Sequence, residues 1–249
     1  MPEKTTHFGY KDVTPEEKTQ KVGKVFDAVA GNYDIMNDVM SLGLHRVWKR
    51  YFVHIANVRP HHQILDLAAG TGDITALLAP KLSGKGAITM CDPNAAMLEQ
   101  GRQRLIDRGL FKHIYYAQAK AESLPFEENH FDRVTLAFGL RNFTDKGRAL
   151  RAIFNLIKPG GQLLILEFSK PKKWMRGFYD TYSFKLLPQM GKMIAKDAES
   201  YQYLAESIRK HPDQETLQFM LEAAGFEQCN FINLNGGIVS IHRGHKLTA

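Results

Sequence analysis

The run Ile64-Leu65-Asp66-Leu67-Ala68-Ala69-Gly70-Thr71-Gly72-Asp73 reads as an apolar strand that opens into a tight turn, followed by a helix beginning near Ile74. Glycines in such a turn, here Gly70 and Gly72 around Thr71, let a ligand approach the backbone and leave amide N–H groups aimed at it. Dinucleotide binding calls for G-x-G-x-x-G with a pyrophosphate over the helix N-terminus. Thr75 stands where the third glycine belongs, and Asp73 sets a carboxylate where the pyrophosphate would lie. Like charge argues against NAD and suits a cofactor carrying a positive sulfonium and an amino group. Asp66, at the strand end, either adds a carboxylate for cationic groups or stabilises the turn as an acceptor, and Asp73 could simply complement the helix dipole. In Cys91-Asp92-Pro93-Asn94 a second apolar run ends in an acid, which can accept both hydroxyl protons of a ribose or else cap the helix starting near Asn94.

These residues need a scaffold, and from Gln63 onward the chain supplies one. Short runs rich in Val, Ile and Leu alternate with helical segments, the pattern of βαβ units in a mostly parallel sheet. Strands are expected near 63–67, 87–91, 113–118, 133–138 and 162–168. Two more, 228–234 and 238–242, flank Asn235-Gly236-Gly237, a tight-turn signal for an antiparallel hairpin. The expected fold is α/β: a Rossmann-like open, mostly parallel seven-stranded sheet with an antiparallel final hairpin, N-terminal helices and a helical lid insertion. Thr14-Pro15-Glu16-Glu17 combines an N-cap, a proline at the first helical position and a capping-box glutamate, so a helix should run to about Ala30. Leu44, Val47, Trp48, Tyr51, Phe52 and Ile55 recur at helical spacing and predict a second helix ending before Arg59-Pro60. The domain organisation is therefore an N-terminal helical extension over 1–60 and a catalytic domain over 61–249, with a lid-like insertion at about 170–212.

The 249 residues carry 33 Lys and Arg against 26 Asp and Glu, a net charge of +7 with 44% apolar residues. That composition belongs to a globular protein, and the basic balance raises contact with an anionic surface as a question. Cys91 and Cys229 lack C-x-x-C spacing, so no metal site is expected and a reducing compartment fits. No run approaches a membrane span, and MPEKTTHFGYKD has neither a signal-peptide core nor transit character. The expected location is cytoplasmic.

After the third strand comes Gln118-Ala119-Lys120-Ala121-Glu122-Ser123-Leu124-Pro125-Phe126, and His130-Phe131-Asp132 introduces the fourth. Together with the glycine turn and Asp92, these resemble a class I S-adenosylmethionine-dependent methyltransferase, with its LDLxxGTG loop, acidic ribose contact and AExLPF-like adenine loop. The likeness narrows further. Tyr33-Asp34-x-Met36-Asn37-x-x-Met40-Ser41-x-Gly43-x-His45-Arg46-x-Trp48 and Leu156-Ile157-Lys158-Pro159-Gly160-Gly161-x-Leu163-x-Ile165-x-Glu167-x-Ser169 are similar to the two signatures of the ubiquinone/menaquinone biosynthesis C-methyltransferases. Phe138-Gly139-Leu140-Arg141-Asn142 and Ser200-Tyr201-x-Tyr203 extend the likeness over nearly the whole chain. The resemblance implies S-adenosylmethionine as methyl donor, a polyprenylated quinol as acceptor, and Lys120, Ala121 and Ala137 as cofactor-lining positions. Lys120 has donors only, so an adenine contact there falls to the Ala121 amide or another group. Asn155 also stands where the second signature usually has arginine, and Ala137 where some members offer a serine near the cofactor.

Methylating a quinol carbon is easiest once an adjacent hydroxyl is ionised. With a phenol pKa of about 10, roughly one molecule in a thousand is phenolate at pH 7, a deficit of about 4 kcal/mol. Arg141, following the fourth strand, can hold a phenolate oxygen or orient a water, and Asn142 can aim the same water. Alternatively Arg141 pairs with Asp145 at a helix start. Tyr33 and His45 are candidates for closing over the ring or moving the proton, with a packed or surface histidine as the competing reading of His45. His61 and His62, beside a turn, read as solvated.

In the insertion, Trp174, Phe178, Tyr182 and Leu186 make an apolar helical stripe among Lys170, Lys172, Lys173, Arg176 and Lys185. It suits a prenyl tail and reversible contact with an anionic membrane at the inner face, or else an ordinary packed helix at the domain or at a homo-oligomer interface. Nucleic acid is not an expected partner, since the lysines are dispersed and no RNA-binding signature occurs.

Overall fold

In the computed structural model, residues 5–29, 37–38, 41–173, 175 and 198–248 are described. A short hairpin of β1 (Thr6–Phe8) and β2 (Lys11–Val13) precedes α1 (Pro15–Val29). The helix starts where the capping residues put it. Thr14 Oγ accepts from the Glu17 amide at 3.2 Å, and the Glu17 carboxylate accepts from the Thr14 amide at 3.1 Å, satisfying two of the amides a helix start leaves open. Next comes α2 (Leu44–Ile55), which buries His45, Trp48, Lys49, Phe52 and Val53.

Then the βα alternation begins: β3 (Gln63–Leu67), α3 (Asp73–Leu78), β4 (Ala87–Asp92), α4 (Ala95–Asp107), β5 (Ile114–Gln118), β6 (Phe131–Ala137), α5 (Lys146–Leu156) and β7 (Ile157–Phe168). The chain ends with α6 (Ala198–Lys210), α7 (Gln214–Ala223), β8 (Glu227–Leu234) and β9 (Val239–His245). The strands form one seven-stranded sheet in the order β5-β4-β3-β6-β7-β9-β8. Pairings from β5 through β7 are parallel, and β9 runs antiparallel to both β7 and β8. The expected sheet and closing hairpin are both present. At the hairpin turn Asn235, Gly236 and Gly237 all take positive φ, which is why this tripeptide and no bulkier one reverses the chain.

Two-residue alternation along the strands divides the core between the faces. Ile64, Ile88, Leu164 and Ile241 pack with Trp48 and Phe52 of α2 and with Tyr201, Leu204 and Ile208 of α6. Leu65, Val134, Leu163 and Ile165 pack with Leu150 and Ile153 of α5 and Leu217 and Leu221 of α7. Each such fully buried side chain contributes about 1.5–3 kcal/mol. The 1–60 region thus shares the sheet's core through α2. Residues 198–210 of the expected insertion are likewise core helix, because four residues of α6, Tyr201, Tyr203, Leu204 and Ile208, face the sheet. Trp174, Phe178, Tyr182, Leu186, Arg176 and Lys185, and also Tyr33, lie outside the described residues.

Candidate active site

Strand order reverses beside β3, with β4 on one side and β6 on the other, and at such a point a crevice opens beyond the strands' carboxyl ends. A cavity of about 550 Å³ lies there. Its floor comes from the strand ends: Leu67, Ala68 and Gly70 after β3, Asp92 at β4, Lys120 and Ala121 after β5, and Phe138, Gly139 and Asn142 after β6. Its roof is α1, which contributes Thr19, Val22, Gly23, Phe26 and Asp27. Ala68 and Phe138, the residues that follow the neighbouring strands β3 and β6, hold left-handed backbone, φ 51° and 57°. Non-glycine residues in that region carry strain that the surrounding structure must enforce, and here both line the cavity. Between them Gly139 has no room for a side chain, since a Cβ there would stand 2.5 Å from that of Ala68.

Two polar contacts tie the roof down. Asn94 caps α4 by accepting from the Met97 amide at 2.9 Å, while its Nδ2 donates to Asp27 of α1 at 2.7 Å. Lys18, only 1% exposed, donates from Nζ to the Phe143 carbonyl at 2.9 Å. Burial, followed by the charge of Lys146, pushes this ammonium down to about 7. Sequence reasoning missed the roof. Thr19, Val22, Gly23 and Phe26 recur at helical spacing, but nothing local says which surface that stripe covers.

Asp92 sits at the wall with its two oxygens accepting from the Gly70 and Asn94 amides, both at 2.9 Å. Each oxygen keeps acceptor capacity for a hydroxyl. Burial raises its pKa to about 6 despite those amides. The cap of α4 is Asn94, so Asp92 is placed to brace the glycine turn and to face the cavity. Gly70 and Gly72 take φ 55° and 79°, giving the turn its shape, and Gly72 stands immediately before α3.

Other acids and turn residues lie off the cavity wall. Asp66 is fully buried and does not line the cavity; its carboxylate accepts from the hydroxyls of Thr75 at 2.6 Å and Thr135 at 3.0 Å. Burial raises it to about 6, with those hydroxyls opposing. Thr75, at the place of a third glycine, is therefore there to satisfy Asp66. Asp73 is bonded to Lys49 Nζ at 2.6 Å and Arg104 at 3.0 Å. Burial would raise its pKa, but the two cations outweigh burial and hold it below the usual range. Its charge is thus answered within the protein, which removes it from the argument about a sulfonium. Thr71 accepts from Arg104 at 3.1 Å, and neither it, Gly72 nor Ala137 lines the cavity.

Below the β6 loop, Arg141 is buried, and its guanidinium donates to Glu167 at 2.8 Å and to the Phe138 carbonyl. It packs 5.6 Å from the Phe168 ring and is not a wall residue. Asn142, beside it, is one. Its Oδ1 accepts from the Tyr203 hydroxyl at 2.9 Å, and Tyr203 stacks on Phe8 with ring centroids 4.1 Å apart. His45 is buried at the start of α2, with Nε2 2.8 Å from Asp38. Burial and Lys49 lower its pKa, so it is a packed, neutral histidine away from the cavity wall. His62 is also buried, not solvated as its place beside a turn suggested: its Nδ1 accepts from the Arg59 amide, and burial lowers it to about 4.

An acidic acceptor at the end of β4, apolar walls from Val22, Met97 and Phe138, and a volume within the range of small-molecule sites fit a nucleoside-bearing cofactor whose ribose donates hydroxyl protons. Together with the sheet order, they define an S-adenosylmethionine-dependent methyltransferase. The chain belongs to the ubiE/COQ5 methyltransferase family, whose model matches residues 14–246. It is 56% identical over 244 residues to the ubiquinone/menaquinone biosynthesis C-methyltransferase UbiE of Shewanella oneidensis, covering 98% of this chain and 97% of that protein. Identity to the protein of the same name from Shewanella piezotolerans is also 56%, with the same coverage. Among solved structures, a possible histamine N-methyltransferase of Thermotoga maritima superposes with a TM-score of 0.64 at 17% identity, over 90% of this chain and 98% of that one. A putative S-adenosylmethionine-dependent methyltransferase of Methanococcus maripaludis gives 0.61 at 17% identity, over 100% and 98%. The two structures speak for the fold alone.

Proposed function

We propose that this chain transfers a methyl group from S-adenosylmethionine to a ring carbon of a polyprenylated quinol, a reading supported by relatives named as C-methyltransferases of ubiquinone/menaquinone biosynthesis. The observation that carries this reading is 56% identity to such a relative over 98% of a chain whose cavity has a carboxylate, Asp92, on one wall and an amide, Asn142, on another. When bound, the cofactor supplies an electrophilic methyl on its sulfonium. The protein's own part begins with Asp92, which accepts the ribose hydroxyls, and with Ala121 and Lys120, which border the adenine end. Asn142 is the polar group offered to the acceptor oxygen. Because Tyr203 occupies its Oδ1, the amide presents Nδ2 as a donor, which favours a phenolate over a phenol. Arg141 fixes the loop that carries Asn142 and adds positive charge beneath it, while Glu167 balances that charge. Tyr33 remains a candidate for the proton path, whereas His45, packed against Asp38 away from the cavity wall, does not. Much of the acceleration then comes from holding the ring carbon in line with the methyl.

A substrate with a prenyl tail resides in a bilayer. Among the described residues no helix is long and apolar enough to cross one. Reversible contact at the membrane's inner face is the part of the proposal that brings the protein to such a substrate. The test is incubation of the purified chain with methyl-labelled S-adenosylmethionine and a short-tailed demethylated quinol. Label on a ring carbon is the expected product. Label on oxygen would make the protein an O-methyltransferase, and no label on any quinol would remove the reading.

A further inference from the structure

The outward face of α2 is apolar where an ordinary surface helix is polar. Leu44, Val47 and Tyr51, spaced three and four residues apart, form one exposed ridge, with Val47 60% and Tyr51 41% exposed. Leu42, just before the helix, continues it at 69% exposure. Single exposed apolar residues are ordinary, whereas a contiguous ridge marks a contact surface. Beside it runs a second exposed ridge, Arg46, Arg50 and His54, each four residues apart. The helix has no acidic residue, and Asp38 near its start is already bonded to Arg46 and His45.

A second basic group borders the ridge from the other side. Trp48 Nε1 donates to Asn235 at 2.6 Å, and the Lys172 amide donates to the carbonyl of Gly236 at 2.9 Å. The exposed Lys172 and Lys173 therefore stand by the turn against which α2 is pinned. From its inner face the same helix sets Trp48 6.4 Å from the ring of Phe138, a wall residue of the cavity.

We infer that this face of α2, with Lys172 and Lys173, is the surface by which the protein docks on anionic phospholipid. The apolar ridge enters the headgroup boundary and the basic residues meet the lipid phosphates. A second copy is a poorer occupant, because a two-fold contact over this face would gather the basic flanks of both helices with no acidic residue of the helix to answer them. Docking here sets the cavity wall one helix away from the bilayer that holds a prenylated acceptor. The inference rests on that substrate reading for its purpose but not for its test.

The test is sedimentation of the full chain with phosphatidylglycerol-containing vesicles and with pure phosphatidylcholine vesicles at several salt concentrations. Thermal unfolding and turnover on a short-tailed, water-soluble quinol are followed in parallel. The wild type should bind the anionic vesicles and release them as salt rises. V47E/Y51E and K172Q/K173Q should each weaken binding roughly twenty- to thirtyfold, about fivefold for every charge changed. Both should unfold like the wild type and keep its short-tail turnover. Wild-type vesicle binding by V47E/Y51E would overturn the inference. So would a large loss of thermal stability in that variant, which would mean another part of the chain covers the ridge, or a dimer of the wild type that V47E/Y51E dissolves. If the wild type binds vesicles in the expected pattern yet methylates no quinol, the surface stands and the substrate reading falls.

Discussion

The hydroxyl of Tyr203 lies 2.9 Å from Oδ1 of Asn142, joining a helix of one sheet face to the amide at the cavity wall. The tyrosine takes up one lone pair of the oxygen and so holds the amide's orientation, with Nδ2 as its donor. Tyr203→Phe keeps the ring and its stack on Phe8 but frees the amide to turn. Turnover should fall about three- to tenfold, the worth of one such hydrogen bond, with cofactor affinity unchanged. In an Asn142→Ala background the same substitution should cost nothing further. An equal loss in both backgrounds, read by steady-state kinetics, would show that Tyr203 acts only on the fold.

Asp92 predicts a pH dependence of cofactor binding. Its carboxyl stands at about 6 without ligand, raised by burial, and hydroxyl donors favour the charged form. Binding then releases a proton, so affinity should rise with pH through about 6 and level off above it. Calorimetry of Asp92→Asn should show S-adenosylmethionine weakened by about 1–3 kcal/mol and this pH dependence flattened. A flat profile in the wild type would exclude Asp92 as the hydroxyl acceptor.

Arg141 and Glu167 form a buried ion pair, and removing one member leaves the other charged and alone. Arg141→Ala should therefore lower stability by about 3–5 kcal/mol in denaturant titration. Replacing both by apolar residues, as in R141M/E167L, should recover most of that stability while leaving turnover impaired, which separates the fold's need for the pair from the reaction's.

Gly139→Ala puts a methyl 2.5 Å from the Ala68 methyl, so the loop after β6 must move off the end of β3. Overpacking of this kind costs about 1–3 kcal/mol, and because both residues line the cavity, cofactor affinity should drop with stability. Ala68→Gly in the same chain should relieve the clash and restore both. No rescue would point to Leu136, whose Cδ1 the new methyl also meets at 3.0 Å, because the backbone at Gly139, φ −109°, is open to any residue.

What could be read from the sequence was what depends on near neighbours. The strands from Gln63 to Leu67 and from Ala87 to Asp92, the capping box at Thr14 and Glu17, and the turn at Asn235 to Gly237 are written within a few residues and appeared where expected. What stayed hidden depends on distant partners. Asp73 looked open to a ligand because Lys49 and Arg104 lie 24 and 31 positions away along the chain. Arg141 could be paired on paper with Asp145, but Glu167 reaches it from the adjacent strand. Helix α6 resembled part of a lid because its apolar residues carry no mark of the sheet they face. The roof was hidden for the same reason: a helical stripe states that something is covered, not what.

Phe8 stacks on Tyr203, and Tyr203 holds Asn142, so β1 is the far end of a lever on the cavity wall. A fusion partner or truncation ahead of α1 would act on turnover without touching the cavity. A chain shortened to begin at Gln63 would retain the strand-end residues yet have neither a ceiling for the cofactor nor a prop for the amide. Assays on tagged protein should accordingly carry the tag at the other terminus, since an extension ahead of β1 bears on the same stack of rings that holds Asn142.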